Sequence, residues 1–310
     1  MSEQADQTAP QAPAQTGAAG RPILLVVNPT SGGGRVKKLL PEVRARLTAL
    51  GLEHRAELTR SLEHAGDLAR EGLAAGEIPV SLSGDGVAGA IAAAAAQTPG
   101  AVIGVLPGGS GNDFCRHTGI PKDALDACEL LVSGVATPID LGEANGRSFL
   151  GIASPGFDSD ANEVANAAPR ALGRAIYLYG ALVALARWKD ARFEVELNGR
   201  VESFDGWSVI AANTSVYGGG MYIAPDARLD DGLLEVVLTT RSSRLQFLRI
   251  MPRVFKGTHV RDPSVRVERA AEIRVSASRP FAVYADGDPV ADLPATIRVV
   301  PEAVRVLLPA

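Results

Sequence analysis

Three glycine-rich segments near the start of the chain could hold phosphate. They read Val26-Val-Asn-Pro-Thr-Ser-Gly-Gly-Gly-Arg35, Ser83-Gly-Asp-Gly86 and Leu106-Pro-Gly-Gly-Ser-Gly-Asn-Asp-Phe114. Glycine lets backbone N–H groups approach anionic oxygens with no Cβ in the way. Three such segments converging on one crevice point to a nucleotide polyphosphate. Two aspartates, Asp85 and Asp288, stand beside glycines in turn-like contexts. A short carboxylate in a tight turn can project into a cleft and there serve phosphates or a hydroxyl proton.

Each glycine segment follows a short apolar run, at Ile23–Val27, Ile78–Leu82 and Val102–Leu106, and precedes a stretch that can be helical. Strand, glycine loop and helix, repeated three times, predict a mainly parallel α/β sheet with helices on both faces. A strand at His54–Leu58 and helices at 35–50, 62–75, 87–97 and 122–133 complete this unit. The character changes near Pro138. Beyond it, β-branched and aromatic runs alternate with turns such as Asn198-Gly199 and Asp286-Gly287. They predict a second, mostly antiparallel domain, a sandwich or barrel, with helices at about 169–188 and 242–256. The expected division is a disordered tail over 1–20, a nucleotide-binding domain over 21–138 and a β domain from 139. The crevice between the domains is the default place for an active site.

Composition narrows the classes. The chain has 310 residues, 46% of them hydrophobic, enough for a sizeable core. A net charge of −4 argues against nucleic acid as a partner. Cys115 and Cys128 form no C-x-x-C pair, which points to a reducing compartment and excludes a disulfide framework or zinc site. The histidines show no metal-ligand spacing. The longest apolar runs, Val87–Ala96 and Ala175–Ala186, are too short to span a bilayer. The second could line an acyl-chain groove or pack on the β domain. One stretch departs from the acidic average: Arg241–Arg261 has six Arg or Lys and no acid. It reads as a surface that docks on anionic lipid, with a solvated face as the alternative.

The ordered loops carry a resemblance. Asn28-Pro-x-Ser-Gly32, Gly84-Asp85-Gly86 and Leu106-Pro-x-Gly-Ser-x-Asn-Asp-Phe-x-Arg116 resemble the motifs of the diacylglycerol kinase family of lipid kinases, and more distantly those of sphingosine kinases and NAD kinases. The likeness continues at Gly156-Phe-Asp-Ser, Tyr217-Gly-Gly-Gly-Met221, Asp231-Gly-Leu-Leu and Ala285-Asp-Gly-Asp288, nearest to the actinobacterial-type branch. It implies an α/β domain like that of NAD kinases and phosphofructokinases, a C-terminal β-sandwich over 139–295, and a last segment, 296–310, that returns to the first domain. It implies ATP- and Mg2+-dependent phosphorylation of a lipid hydroxyl, usually that of diacylglycerol, giving phosphatidate. The enzyme would be cytoplasmic, peripherally bound to an anionic membrane that carries the neutral diacyl substrate, and compatible with a homodimer.

Carried over residue by residue, the resemblance assigns Asn28, Ser31, Gly32, Gly84, Asp85, Gly86, Gly108, Gly109, Ser110, Asn112 and Asp113 to the nucleotide site. It makes Asp288 the base, with Asp85 serving the phosphates through Mg2+. Asp231 and the Leu233 carbonyl match a loop that binds a structural Mg2+ in some members. The chain departs from the pattern at Ser83, at Val87 in place of Thr, and at Ala90 in place of Glu. Those departures leave open a non-catalytic nucleotide or lipid sensor. Plainer roles also exist: Asp85 as a helix cap, Asp288 as a hairpin residue and Asp231 as a turn residue. Gly84-x-Gly86-x-x-Gly89 also spells a dinucleotide-binding fingerprint, but the next strand ends in Pro107-Gly-Gly-Ser, with no acid for a ribose. A dehydrogenase is therefore the weaker enzyme reading.

Overall fold

The computed structural model describes residues 17–18, 20–168 and 176–310. Its first unit is a parallel sheet of β1 (Ile23–Val27), β2 (His54–Leu58), β3 (Ile78–Ser83) and β4 (Val102–Pro107), in the order β4-β3-β1-β2. The three inner strands are buried along their whole length, whereas β2 at the edge is mostly exposed. Strands covered on both faces read as unbroken apolar runs. Crossover helices α1 (Ser31–Ala49), α2 (Leu62–Ala74) and α3 (Asp85–Ala95) connect them. Ser61 starts α2 by accepting the His64 N–H on its hydroxyl at 3.1 Å. After β4 come α4 (Asp113–Thr118), α5 (Ala124–Ala127) and α6 (Leu130–Ser133). The single helix expected over 122–133 is thus two short ones.

The second unit contains β5 (Val135–Ala144), β6 (Arg147–Phe149), β7 (Ile152–Ser154), β8 (Ala191–Leu197), β9 (Arg200–Ala212), β10 (Leu234–Thr240), β11 (Val265–Ala270), β12 (Glu272–Ala277), β13 (Ala282–Ala285), β14 (Asp288–Asp292) and β15 (Ala295–Leu308). The pairings within it are antiparallel. Along β8 buried and exposed residues alternate, so one face is wet. Helices α7 (Phe157–Ala167), α8 (Ile176–Arg187) and α9 (Arg244–Val254) attach to it through an aromatic cluster. Phe157 meets Trp188 and Trp207 edge-on at 5.9 Å, and Trp207 stacks on Phe247 at 4.2 Å.

The boundary drawn at 138 falls inside β5, and the two apolar runs Thr296–Val300 and Ala303–Leu308 form one strand, β15. Its register shifts between Val300 and Val304, where Glu302 takes φ 48°. Asp140, 1% exposed, fills that irregularity. Its two oxygens accept the Glu302 N–H and the Gly232 N–H, each at 2.8 Å. Past this point β15 stays antiparallel to β5 and also pairs in parallel with β4 through Arg305 and Val306. The last strand so joins both units in one sheet path.

Two expectations need adjustment at the margins. Residues 1–16 and 19 of the expected tail lie outside the described residues. Gly17 and Ala18, however, are docked, donating their N–H groups to Gly134 and Leu131 carbonyls at 2.7 Å. The start of the helix expected at 169–188 also lies outside the described residues, and α7 was not expected at all.

Candidate active site

Because β1, β3 and β4 are neighbours, the loops at their C-terminal ends meet. Gly32, Gly33 and Gly34 have φ of 60°, 68° and 87°, so regular helix begins only after them. The Gly108 and Gly109 N–H groups donate to the Ser83 carbonyl at 2.6 and 3.0 Å. A Cβ on Gly109 would stand 2.5 Å from the Gly84 Cα, and one on Gly32 would stand 2.7 Å from the Gly108 carbonyl oxygen. These glycines allow loop to pack on loop. Asn112 brackets Gly109, accepting its N–H at 2.8 Å and donating to its carbonyl at 3.0 Å. Arg35 crosses from the first loop to the Gly109 carbonyl at 3.0 Å. Asn28 turns the chain out of β1, its side-chain Oδ1 accepting the Thr30 N–H at 3.0 Å and hydroxyl at 2.8 Å. The Ser31 hydroxyl faces Gly84, 3.7 Å from where a Cβ would stand there.

Gly86 is placed differently. It lies inside α3, and a Cβ there would meet the Leu62 side chain at 3.5 Å, an ordinary contact. It lines neither cavity of the site. Gly89 is helical too, so Gly84-x-Gly86-x-x-Gly89 is not a phosphate-binding loop along its length.

Two cavities open beside these loops. Arg35, Arg116 and Lys122 line one of about 640 Å³, with Gly32 and Gly33 beside them. The other, about 630 Å³, carries Asp85, Asp113 and Asp286 together with apolar side chains such as Phe114, Ile152 and Val216. Ser110 and Gly111 line both. A cationic chamber and an anionic, partly apolar chamber therefore meet across two residues.

The carboxylates are held by backbone N–H groups. Asp85 accepts from Asp113 at 3.1 Å and from Phe114 at 3.0 Å. It caps a helix, but that helix is α4 and not its own. One Asp113 oxygen accepts the Gly219 N–H at 2.7 Å. The other is buried without a hydrogen bond, 3.8 Å from the Arg116 guanidinium. Burial pushes the Asp113 carboxyl up and the charge of Asp85 adds to this, against the Gly219 N–H and Arg116. Asp286, at φ 51°, accepts the N–H groups of Leu150, Gly151 and Ile152 at 2.7, 2.9 and 3.2 Å. Burial raises it to about 6 despite those three donors. Sequence reasoning passed over Asp286; the Asp286-Gly287 turn was its only local signal. Asp288 begins β14, exposed, next to Gly287 of the cavity wall. Among the described residues its carboxylate has no partner, and partial desolvation raises it.

Helix α4 also ties the two units together. The His117 Nδ1 accepts the Ser215 N–H at 3.2 Å and lies 2.7 Å from the Ser215 hydroxyl. A ring nitrogen that accepts a backbone N–H is unprotonated, and burial lowers the pKa of this imidazole. Asp113 and His117, four residues apart, share one helix face and both grip the 215–219 segment. Cys115 and Arg116 of the same helix line the cationic chamber. Burial pushes the Cys115 thiol up to about 12, so it is an inert wall.

Known proteins are similar to this chain along most of its length. Residues 22–144 match the family model described as the diacylglycerol kinase catalytic domain. Residues 151–308 match the one described as the YegS C-terminal NAD kinase beta sandwich-like domain. A diacylglycerol kinase of Mycobacterium tuberculosis is 35% identical over 295 residues, 93% of this chain and 95% of that protein. The chain belongs to the diacylglycerol kinase family. A second relative, a diacylglycerol kinase of Bacillus subtilis, is 27% identical over 289 residues, 92% of this chain and 95% of that one. A solved structure from Bacillus anthracis str. Sterne, assigned to the diacylglycerol kinases, superposes with a TM-score of 0.79 at 20% identity over 98% of each chain. It shows the common fold, an α/β domain followed by a β-sandwich. The protein is thus a lipid kinase, and the dehydrogenase reading falls with the family assignment.

The two expected cation positions of this lipid kinase differ. Asp231 accepts the Leu233 N–H at 3.1 Å and is ion-paired with Arg269, which also reaches Glu235 at 3.1 Å. With a guanidinium already on its carboxylate, the Asp231–Leu233 turn does not fit a metal ion. Among the described residues no group of three or more His, Cys, Asp or Glu could hold one. In the cleft the outcome is otherwise. A Cβ on Gly111 would lie 3.3 Å from an Asp85 oxygen and 3.4 Å from an Asp113 oxygen. Two carboxylate oxygens converging on one glycine at the junction of the two cavities suit a cation that arrives with its nucleotide; the orphaned Asp113 oxygen is the other one, beside Arg116.

Proposed function

We propose that the enzyme transfers the γ-phosphoryl group of ATP to the hydroxyl of diacylglycerol, giving phosphatidate, at a membrane surface. The carrying observation is the meeting of the two chambers at Ser110 and Gly111. Arg35, Arg116 and Lys122 suit a polyphosphate on the cationic side, and loop N–H groups orient it. The apolar wall on the other side suits a neutral lipid and excludes competing water. Mg2+ brought with ATP would supply charge neutralisation, held by Asp85 and Asp113.

Asp288 is the residue best placed to accept the hydroxyl proton. Its carboxylate is without a partner among the described residues and adjoins Gly287 of the chamber wall, whereas both oxygens of Asp286 are occupied by three N–H groups. Asp286 instead positions the 150–152 wall. Val87 is 2% exposed and lines neither cavity, so the loss of a hydroxyl there leaves the chamber surfaces intact.

A transfer assay with labelled ATP, Mg2+ and neutral lipids in mixed micelles tests the reading. Label in phosphatidate is expected. Label only in the product of a monoacylglycerol or ceramide would reassign the acceptor, and no label with any lipid would refute the proposal. Asp288→Asn keeps the shape and removes the charge. Turnover should fall by about 10²–10⁴-fold, with ATP binding retained; near-parental turnover would remove Asp288 from the base role.

A further inference from the structure

Helix α9 is apolar on both of its faces. The inner face buries Phe247, Ile250 and Val254. The outer face is not the polar one of a solvated helix: Leu245, Leu248 and Phe255 are 59%, 41% and 57% exposed. With exposed Pro252 they fall on one stripe at helical spacing. Arg249 and Lys256 lie seven residues apart along the edge of that stripe. Among the described residues neither has an ion-pair partner. Three large exposed apolar groups in one stripe, beside unpaired cations, mark a surface that meets something.

Three of the other four cations of this stretch are bolts, and the fourth, Arg261, is exposed. Arg253 holds Asp262 at 3.0 Å and the Thr258 carbonyl at 2.7 Å. Arg244 donates to the Trp188 carbonyl at 3.0 Å, and Arg241 pairs with Asp190 at 3.2 Å. The stripe is also close to the acceptor chamber. The Val254 carbonyl accepts the Tyr222 N–H at 2.9 Å. Tyr222, itself 38% exposed, follows the Tyr217–Met221 bridge, and Tyr217 lines the chamber.

We propose that the outer face of α9 docks on an anionic phospholipid bilayer, with Leu245, Leu248 and Phe255 entering the acyl boundary and Arg249 and Lys256 meeting lipid phosphates. Charge selects this occupant. Residues 241–261 contain no acid in a chain of net charge −4, so only an anionic partner complements this face. The placement gives the proposal its use under the lipid-kinase reading, because α9 is hydrogen-bonded to the 217–222 segment, part of which lines the acceptor chamber.

The test is co-sedimentation of the full chain with vesicles, without nucleotide, so that it reads docking and not catalysis. Phosphatidylcholine vesicles with and without phosphatidylglycerol are compared for the parent, Arg249→Gln/Lys256→Gln, Leu248→Ser/Phe255→Ser, and Val201→Ser as a distant exposed apolar control. Partition onto anionic vesicles should fall about fivefold for each cation removed, near 30-fold for the pair, and more weakly at high salt. The apolar pair should lose about tenfold or more on both vesicle types, and Val201→Ser should bind as the parent does. Turnover on a monomerically dispersed short-chain diacylglycerol should be unchanged in the α9 variants, so a failure of the active-site reading would show separately. Equal vesicle binding by parent and both double variants would overturn the proposal. So would sedimentation velocity showing a parent dimer that Leu248→Ser/Phe255→Ser converts to monomer, since a second copy would then cover the face.

Discussion

Replacing His117 tests whether α4 locks the two domains together. Its Nδ1 accepts the Ser215 N–H at 3.2 Å, and Ser215 is 8% exposed. His117→Ala leaves that buried donor without a partner, at a cost of about 1–3 kcal/mol. The volume vacated by a partly buried ring adds about 1 kcal/mol. The total, about 2–4 kcal/mol, is a large share of the ~5–15 kcal/mol that typically holds a domain folded. His117→Asn is the informative comparison, because its Oδ1 can accept near the same point and does not titrate. It should recover at least about half of the alanine loss. The acceptor wall should loosen in step: the KM for lipid should rise several-fold in His117→Ala, while ATP affinity stays within about twofold. The sign with pH is fixed by burial, which lowers the pKa of His117 in the fold. Stability from the neutral ring is fully present above the unfolded value of about 6.5 and is lost as pH falls through the lower folded value. His259, buried, donates through Nε2 to the Ile223 carbonyl at 3.0 Å; its pKa is lowered by burial, and it contributes with the same sign. Denaturant titrations across pH 5–8 should therefore show a shallower acid-side decline in His117→Asn than in the parent, with the His259 share remaining. A loss below about 0.5 kcal/mol in His117→Ala, with unchanged KM for lipid, would refute the lock.

Gly109→Ala and Gly86→Ala should behave oppositely. The first places a Cβ 2.5 Å from backbone at Gly84 and should separate the loops, costing about 1–3 kcal/mol and abolishing nucleotide binding measured by calorimetry. The second meets only Leu62 at 3.5 Å and should stabilise α3 by about 0.5–1 kcal/mol with nucleotide binding intact; the reverse ranking would mean that Gly86 faces phosphate. Burial pushes the Asp158 carboxyl up to about 6, and one of its oxygens is buried without a partner. The penalty on its charged form is absent below the usual carboxylate pKa and complete above about 6. Asp158→Asn should accordingly melt higher than the parent at pH 8, by about 1–2 kcal/mol once the unpaired amide is counted, and the advantage should vanish near pH 4; a pH-independent difference would place the effect elsewhere.

The inner strands and the glycine loops were legible before any fold was known. β1, β3 and β4 are covered on both faces, so burial wrote them as largely apolar runs, broken in β3 only by serine, and the residues of β8 alternate between buried and exposed. Helix α7 was easy to miss because its apolar stripe, Phe157, Ala161, Val164 and Ala165, is built mostly from small or short side chains among Asp, Asn and Glu. Gly156 and the Ser159 hydroxyl start it, and α8 packs along it. Tertiary structure alone decided the carboxylate roles. Asp85 looked like a cap for the helix it begins, and it caps α4, 28 residues away. Asp286 is anchored by N–H groups 134 to 136 residues upstream, and His117 by Ser215, 98 residues downstream. A glycine motif reads the same whether its missing Cβ would face phosphate or, as at Gly86, a leucine of the preceding helix. Periodicity records which side of a segment is buried; it cannot record which distant donor a carboxylate meets, because that pairing is set by how whole elements pack.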